Sequence, residues 1–368
     1  MRALILSEPE DVHAQAVEWG LARLGHDVSF LCLPDYPSRA ATTLRISTGT
    51  GPETIELSSL PETGTTAPYD VVWMRRPFGS TANERISKFD RRFVERETDT
   101  VLKSALWEWT KRAYSVNPVV ARTIANRKPS QLIAARRCGW TIPDTLISND
   151  SSAILRFARA HGERIVYKPL SPISWAKDGV SYVPYTKLLA GVELESHIPQ
   201  IEACPGIFQP FIDKAYELRV TVMGASVFAA KLETADCVDW RDTYRGMPPL
   251  VPYELPQEIS DMCVNLLRSL SLRFGCIDLI RDVRGEYVFL EVNEMGQFLW
   301  VEVLNKSVPM LDAFCRFLVS RDDAYKYVGA SAEALQYSDY LAAGADLRTL
   351  RMEKHTRPKL DSIIVFED

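Results

Sequence analysis

The sequence predicts a layered α/β protein followed by a second, strand-rich α+β part, and three patterns carry that expectation. An apolar run at Ala3–Leu6, helical spacing from Val12 to Leu24 ended by Gly25, and a second apolar run at Asp27–Leu33 form a strand, helix, strand unit in about thirty residues. Such a unit demands a parallel crossover and a covered sheet. Between residues 120 and 207, short helices and strands alternate, and after 208 the chain turns to hairpins. A chain of 368 residues has room for two to three domains or subdomains.

The first layer continues past a Thr-, Ser-, Pro- and Gly-rich stretch at 34–68, which predicts a loop with two weak strands at Thr43–Ile46 and Thr54–Leu57. Val71–Met74 reads as the third sheet strand, closed by Arg75-Arg76-Pro77, and Phe89–Tyr114 as a long helix. No GxGxxG lies in the first strand-to-helix turn, so a nicotinamide dinucleotide site is not expected there. In the second part, Arg127-Lys128-Pro129 opens a helix through Cys138. Ile142–Ile147 reads as a strand, Ala153–His161 as a helix, and Arg164–Pro169 as a strand carrying Lys168. Residues 171–207 read as a loop with strands and a short helix. In the third part, Glu217–Val222 and Val227–Leu232 make one hairpin across Met223–Ser226. Ile259–Phe274 reads as a helix, and Cys276–Ile280 with Tyr287–Asn293 make a second hairpin.

Composition narrows the function classes. Hydrophobic residues are 46% and charged residues 25%, as in a globular protein with a full core. No apolar run reaches the roughly 18 to 20 residues of a membrane span, and the N-terminus reads as a strand running into Glu8-Pro9-Glu10-Asp11, not as a signal peptide. The net charge of −5 without a basic block argues against nucleic acid as partner. The seven cysteines form no CxxC pair, and the five histidines are scattered. Neither a disulfide framework nor a zinc site is expected, and a reducing cytoplasm is the expected compartment.

Four patterns point to chemistry. Glu291 and Asn293 stand two apart on a strand and so share a face, and Asp278 lies on the facing strand of the same hairpin. Three hard oxygen ligands without nitrogen or sulfur suit Mg²⁺ held together with substrate phosphates; a solvated polar face is the competing reading. Lys128 and Lys168 stand at element boundaries, where an ammonium can meet a phosphate as a point charge; a surface lysine is the bland alternative. Phe208–Arg219 offers an apolar segment, Gln209-Pro210-Phe211-Ile212, for an adenine edge, then Glu217 for ribose hydroxyls; an ordinary linker reads the same. In Asp239-Trp240-Arg241, Arg241 together with Arg219 suits bidentate binding of a carboxylate or acyl phosphate, and Asp239 suits a general base; a surface turn with an ion pair competes.

Taken in order, these features resemble the ATP-grasp fold over about residues 1–320. The wording is closer still to the graspetide synthetases, the microviridin-type peptide macrocyclases. The stretches that carry the resemblance are Val72–Pro77, Ile142–Ile147, Val166–Leu170, Tyr216–Val222, Asp239-Trp240-Arg241 and Phe289–Asn293 leading to Gly296-Gln297. The resemblance implies an ATP-grasp fold, mixed α/β and α+β, with an N-terminal pre-ATP-grasp α/β domain at 1–120 and a small central subdomain with a phosphate lid at 121–207. A C-terminal subdomain at 208–320 and an extension at 321–368 complete it.

It implies ATP and Mg²⁺, with Lys128 and Lys168 on phosphates, Gln209, Pro210, Phe211 and Ile212 at the adenine, Glu217 at the ribose, and Asp278, Glu291 and Asn293 at the metal. Arg219, Asp239 and Arg241 inherit the handling of the acidic side chain and the acceptor hydroxyl or amine. The implied reaction forms ester or amide crosslinks between acidic and Ser, Thr or Lys side chains of a precursor peptide with a leader and an acidic, Thr-rich core, through an acyl phosphate. The alternatives are a ligase adding a free amino acid to a peptide or small acid, and a non-catalytic binding module that kept the fold. Two features depart from the family. The metal strand continues Asn293-Glu294-Met295-Gly296 where the family commonly has Asn-Pro, and the Tyr-bearing tail is longer than the family core. Dimer contact, substrate clamp and packing strap are the three readings of that tail.

Overall fold

The computed structural model describes residues 1–45, 54–58, 69–171, 175–177, 180–182, 185–234, 237–239, 249–329, 333–343, 351 and 353–357. The N-terminal layer holds β1 (Arg2–Leu6), α1 (Val12–Arg23), β2 (Asp27–Leu31), β3 (Ala41–Arg45), β4 (Thr54–Ser58), β5 (Val71–Met74), α2 (Arg91–Arg112) and β6 (Tyr114–Val116). Strand order is β2-β1-β5-β6, all parallel, while β3 and β4 pair antiparallel as a separate ribbon. The central strands β1 and β5 are near-continuous buried apolar runs, as strands covered on both faces require. Asp11 caps α1 by accepting from the His13 and Ala14 backbone N–H groups. The long helix is shorter than the sequence predicts: Phe89 and Phe93 are exposed, and the helix starts at Arg91.

Next come α3 (Val119–Ala125), which the sequence reading missed, then α4 (Lys128–Arg137), β7 (Leu146–Ser148), α5 (Ser151–Ala160), β8 (Arg164–Lys168), β9 (Trp175–Lys177), β10 (Val180–Tyr182), β11 (Lys187–Ala190), α6 (Gly191–Ser196), α7 (Ile198–Ala203) and β12 (Gly206–Pro210). Strand order is β11-β8-β12-β7, antiparallel throughout. The strand expected at Ile142–Ile147 is confined to Leu146–Ser148, because Pro143 interrupts pairing. The apolar segment Phe208–Ile212, expected as an adenine edge with a linker as the competing reading, runs as the inner strand β12 through Pro210.

The third sheet is built from β13 (Lys214–Met223), β14 (Ser226–Leu232), β15 (Leu250–Tyr253), β16 (Phe274–Asp282) and β17 (Tyr287–Asn293), with α8 (Gln257–Ser269) packed on it. Its order is β15-β14-β13-β16-β17. The helix expected to reach Phe274 stops at Ser269, where Ser271 takes φ 56° and Phe274 opens β16. The helices α9 (Leu299–Leu304), α10 (Met310–Ser320) and α11 (Tyr337–Ala343) follow.

Helix α10 ties the first and third sheets into one core. Phe314 sits 4.8 Å from Trp73 of β5 and 4.8 Å from Phe274 of β16, ring to ring. The described tail packs on its own chain. Tyr340 donates to Gln15 at 2.7 Å, Tyr327 to Asp312 at 2.8 Å, and the Tyr337 backbone N–H to Glu302 at 2.6 Å. His355 and the Thr356 N–H meet Asp35 at 2.7 and 2.6 Å. Cys32, Asp35 and His355 come close enough together to be weighed as metal ligands, but the Asp35 carboxylate is already occupied by the two tail contacts. The packing-strap reading describes these contacts. All seven cysteines are free thiols, and among the described residues no helix is long and apolar enough to cross a membrane.

Candidate active site

A cavity of about 590 Å³ opens between the second and third sheets, with the N-terminal layer forming one wall. Every residue singled out in the sequence except Arg241 lines it: Lys128, Lys168, Gln209, Pro210, Phe211, Ile212, Glu217, Arg219, Asp239, Asp278, Glu291 and Asn293. Arg241 lies outside the described residues, as do Trp240 and part of the loop at 171–207 within the segment expected to carry the phosphate lid.

The floor is the β16–β17 hairpin. Asp278 stands directly opposite Glu291, and the register then shifts, so that Leu279 faces Phe289 and Leu290 is passed over in a bulge. A bulge beside a site re-aims the side chains that flank it. Two facing carboxylates repel each other, and two cations relieve them. Arg219 donates to both oxygens of Asp278 at 2.7 and 3.0 Å, and Lys128 pairs with Glu291. Burial alone would lower the Arg219 pKa, but the Asp278 charge holds it above the usual value. Asn293 lies 3.2 Å from Asp278 and 3.3 Å from Glu291 through its amide. Here the Asn293 Nδ2 donates to both carboxylates; with the amide turned about its Cβ–Cγ bond, the trio would present only hard oxygen donors, as Mg²⁺ requires.

Lys168 ends β8 and enters the cavity half-buried. Burial pulls its pKa down and Lys128 adds to that, while Glu291 pulls it up. Gln209 donates to Thr145 at 3.0 Å, and its buried Oε1 has no hydrogen-bond partner. An unpartnered acceptor beside the apolar Pro210-Phe211-Ile212 edge fits an amino group on a flat heterocycle. Glu217 is paired with Lys214, and burial raises its pKa despite that partner. Asp239 accepts from the Thr186 N–H at 3.1 Å. The donor set and the orphaned acceptor therefore suit a nucleotide with its metal.

Residues that the sequence reading passed over hold the floor in place. Gln131, one turn beyond Lys128 on α4, donates to the Val292 carbonyl at 2.8 Å and accepts the Val292 N–H at 3.0 Å, acting as a side-chain strand beside β17. Glu294 is buried and accepts from Arg122 at 2.9 Å and Asn126 at 3.0 Å. Asn117 donates to the Glu294 carbonyl at 2.9 Å. Gly296 follows at φ +37°, with room for no side chain: a Cβ would stand 2.6 Å from the Cys276 sulfur. The signal for Glu294 was its departure from Asn-Pro; for Gln131 it was helical spacing from Lys128.

No protein-family model matches the chain, and no curated protein matches it. Solved structures do. Macrocyclase MdnC of Microcystis aeruginosa MRC, bound with precursor peptide MdnA, is 24% identical over 87% of this chain and 100% of that one, at TM-score 0.77. A RiPP-associated ATP-grasp ligase of Chryseobacterium gregarium, in complex with ADP and a leader and core peptide, is 26% identical over 88% of this chain and 99% of that one, at TM-score 0.75. Macrocyclase MdnB of M. aeruginosa MRC is 25% identical over 86% and 99%, at TM-score 0.71. The fold is the ATP-grasp fold that the sequence motifs resemble.

Proposed function

We propose that this chain is an ATP-dependent, ADP-forming ligase that crosslinks a precursor peptide, joining acidic side chains to Ser, Thr or Lys side chains as esters or amides through an acyl phosphate. The observation that carries the reading is the gathering of Lys128, Lys168, Gln209, Asp278, Glu291 and Asn293 around one cavity. It has support from neighbours of the same fold that hold a precursor peptide in one case, and ADP with leader and core peptide in another.

In this proposal Lys128 and Lys168 hold phosphates, Gln209–Ile212 the adenine and Glu217 the ribose, between segments 121–207 and 208–320. Asp278, Glu291 and Asn293 hold Mg²⁺, which when bound supplies charge neutralisation on the phosphates. The described N-terminal layer supplies one wall through Arg75 and Arg76, and the described part of the tail packs on the core through Tyr327, Tyr337, Tyr340 and His355. The chain's work is positioning and electrostatics. Arg219, held rigid by Asp278 and by the Gln297 carbonyl at 3.2 Å, aims its guanidinium at the carboxylate being activated. Asp239 accepts the proton of the attacking hydroxyl or amine, and Arg241 orients the anion. Cysteines without disulfides support a reducing cytoplasm as the compartment in this reading.

Incubation with ATP, Mg²⁺ and a candidate precursor encoded beside the gene is the test, read by mass spectrometry. Loss of one water per crosslink with equal ADP release supports the reading. A mass gain equal to an amino acid would replace it with the free-amino-acid ligase, and binding of peptide and nucleotide without ADP release would replace it with a non-catalytic module.

A further inference from the structure

The parallel N-terminal sheet has its topological switch point between β1 and β5: the chain leaves β1 toward β2 on one side and returns to β5 on the other. Crevices outside the carboxyl ends of strands at such a point are where open α/β sheets take ligands. Here the crevice is flanked by Glu8 and Asp11 beyond β1 and by Arg75 and Arg76 beyond β5, and both arginines line the cavity described above.

The two arginines differ. Arg75 is buried, with Nε 3.0 Å from Asp11 and Nη1 donating to the Met295 carbonyl at 2.6 Å, so it ties the crevice to the loop after Asn293. Its buried Nη2 has no hydrogen-bond partner. Burial opposes the Asp11 charge, but the guanidinium groups of Arg75 and Arg76 and the Ser7 hydroxyl hold that carboxyl below the usual range. Asp11 is thus a fixed anion committed to Arg75. Arg76 is a third exposed, lies 3.6 Å from Asp11 through Nε, and is paired through Nη1 with Glu8. Glu8 is an exchangeable partner: it sits in a loop, whereas Asp11 is fixed in the α1 cap.

We propose that Arg76 seats a side-chain carboxylate of the peptide substrate at this switch point, displacing Glu8, with Arg75 as the positioning residue behind it. This rests on the ligase reading, which requires an acidic side chain to approach the phosphates from the wall away from the adenine. A guanidinium already holding a glutamate of its own chain has the geometry for a glutamate or aspartate of another. Glu8 then acts as an internal occupant that acidic side chains displace and neutral ones do not.

The test uses the full chain with Mg²⁺ and ADP, and a fluorescein-labelled peptide of alternating Glu and Thr beside its Gln counterpart, read by anisotropy. Wild type should bind the acidic peptide at least tenfold more tightly than the Gln peptide. Arg76→Gln should lose that preference, Arg76→Lys should restore part of it, and Glu8→Gln should tighten acidic-peptide binding several-fold. ADP affinity, measured alongside, reports an intact fold. The inference is overturned if wild type does not discriminate the two peptides. Unchanged acidic-peptide affinity in Arg76→Gln overturns it as well, as does Glu8→Gln weakening binding as much as Arg76→Gln. Selective binding without turnover would count against the ligase reading alone and leave the carboxylate seat standing.

Discussion

Replacing Glu294 by Ala should destabilise the protein more than any surface change, although Glu294 is not assigned to metal or nucleotide. Its side chain is 1% exposed and that of Arg122 9%, and the pair meets at 2.9 Å with Asn126 on the second carboxylate oxygen at 3.0 Å. Truncating one member leaves a buried guanidinium without its charge partner, which typically costs about 3–5 kcal/mol. At roughly 2–4 °C per kcal/mol, thermal unfolding should fall on the order of 10 °C. Much of that loss is the uncompensated charge, so Arg122→Met/Glu294→Leu should be more stable than Glu294→Ala alone. Differential scanning fluorimetry of the wild type, Arg122→Met, Glu294→Leu and their double closes the cycle, with Glu294→Ala measured beside it. A Glu294→Ala midpoint within about 1 kcal/mol of wild type, or a double variant no better than the single, would refute the clamp.

Lys168→Met should weaken Mg²⁺–ADP binding by about 2–5 kcal/mol by calorimetry, as loss of a buried charged contact does. Because its pKa is lowered, wild-type affinity should also fall with rising pH earlier than an ordinary lysine would allow. Glu291→Ala and Asn293→Ala should abolish turnover and metal-dependent nucleotide binding with the far-UV spectrum intact; a wild-type rate at saturating Mg²⁺ and ATP would refute the metal assignment. His13, whose pKa burial and Arg75 lower to about 3, accepts the Phe298 and Leu299 N–H groups at 3.1 and 3.3 Å as a neutral ring. Its folded pKa is depressed, so the unfolded chain binds the extra proton: this contribution is complete above pH ~6.5 and shrinks as pH falls toward 3, by at most roughly 5 kcal/mol. His13→Gln should flatten that slope in pH-dependent unfolding; an unchanged slope would contradict the assignment.

What the sequence made legible follows from how each element is encoded. The β16–β17 hairpin was readable because Asp278, Glu291 and Asn293 interrupt apolar strands at fixed parity, and Lys168 because it ends an apolar run against Pro169. The parity argument carried no information on the bulge at Leu290, a register shift set by pairing with another strand. Arg75, Arg122 and Gln131 act across more than 150 residues of chain, on Met295, Glu294 and Val292, and local pattern is blind to such partners. Helix α3 was missed because its seven residues are too few to show a period, and β12 because Pro210 reads as a break when it is only the strand's last residue.

The charges around the cavity are cross-paired in a way that makes a sharper test than any loss of function. Glu291, assigned to the metal, sits on Lys128, assigned to a phosphate. On the proposed assignments, Mg²⁺–nucleotide binding would exchange partners: Glu291 would give up Lys128 for the metal, Lys128 would take a phosphate in place of Glu291, and no charge would be left buried alone. Coupling between two ligands is reciprocal, so each should strengthen the other's binding. Lys128→Met splits the two halves of the exchange. Without nucleotide, Glu291 loses its competing cation, and Mn²⁺ used as a spectroscopic stand-in for Mg²⁺ should bind more tightly than to wild type. With saturating metal, ADP should bind more weakly, because one phosphate contact is gone. Opposite signs in one variant cannot come from general unfolding, which would weaken both. If Lys128→Met weakens the metal in the absence of nucleotide, Lys128 is holding the carboxylate in place for the metal and is not its competitor, and the exchange account fails.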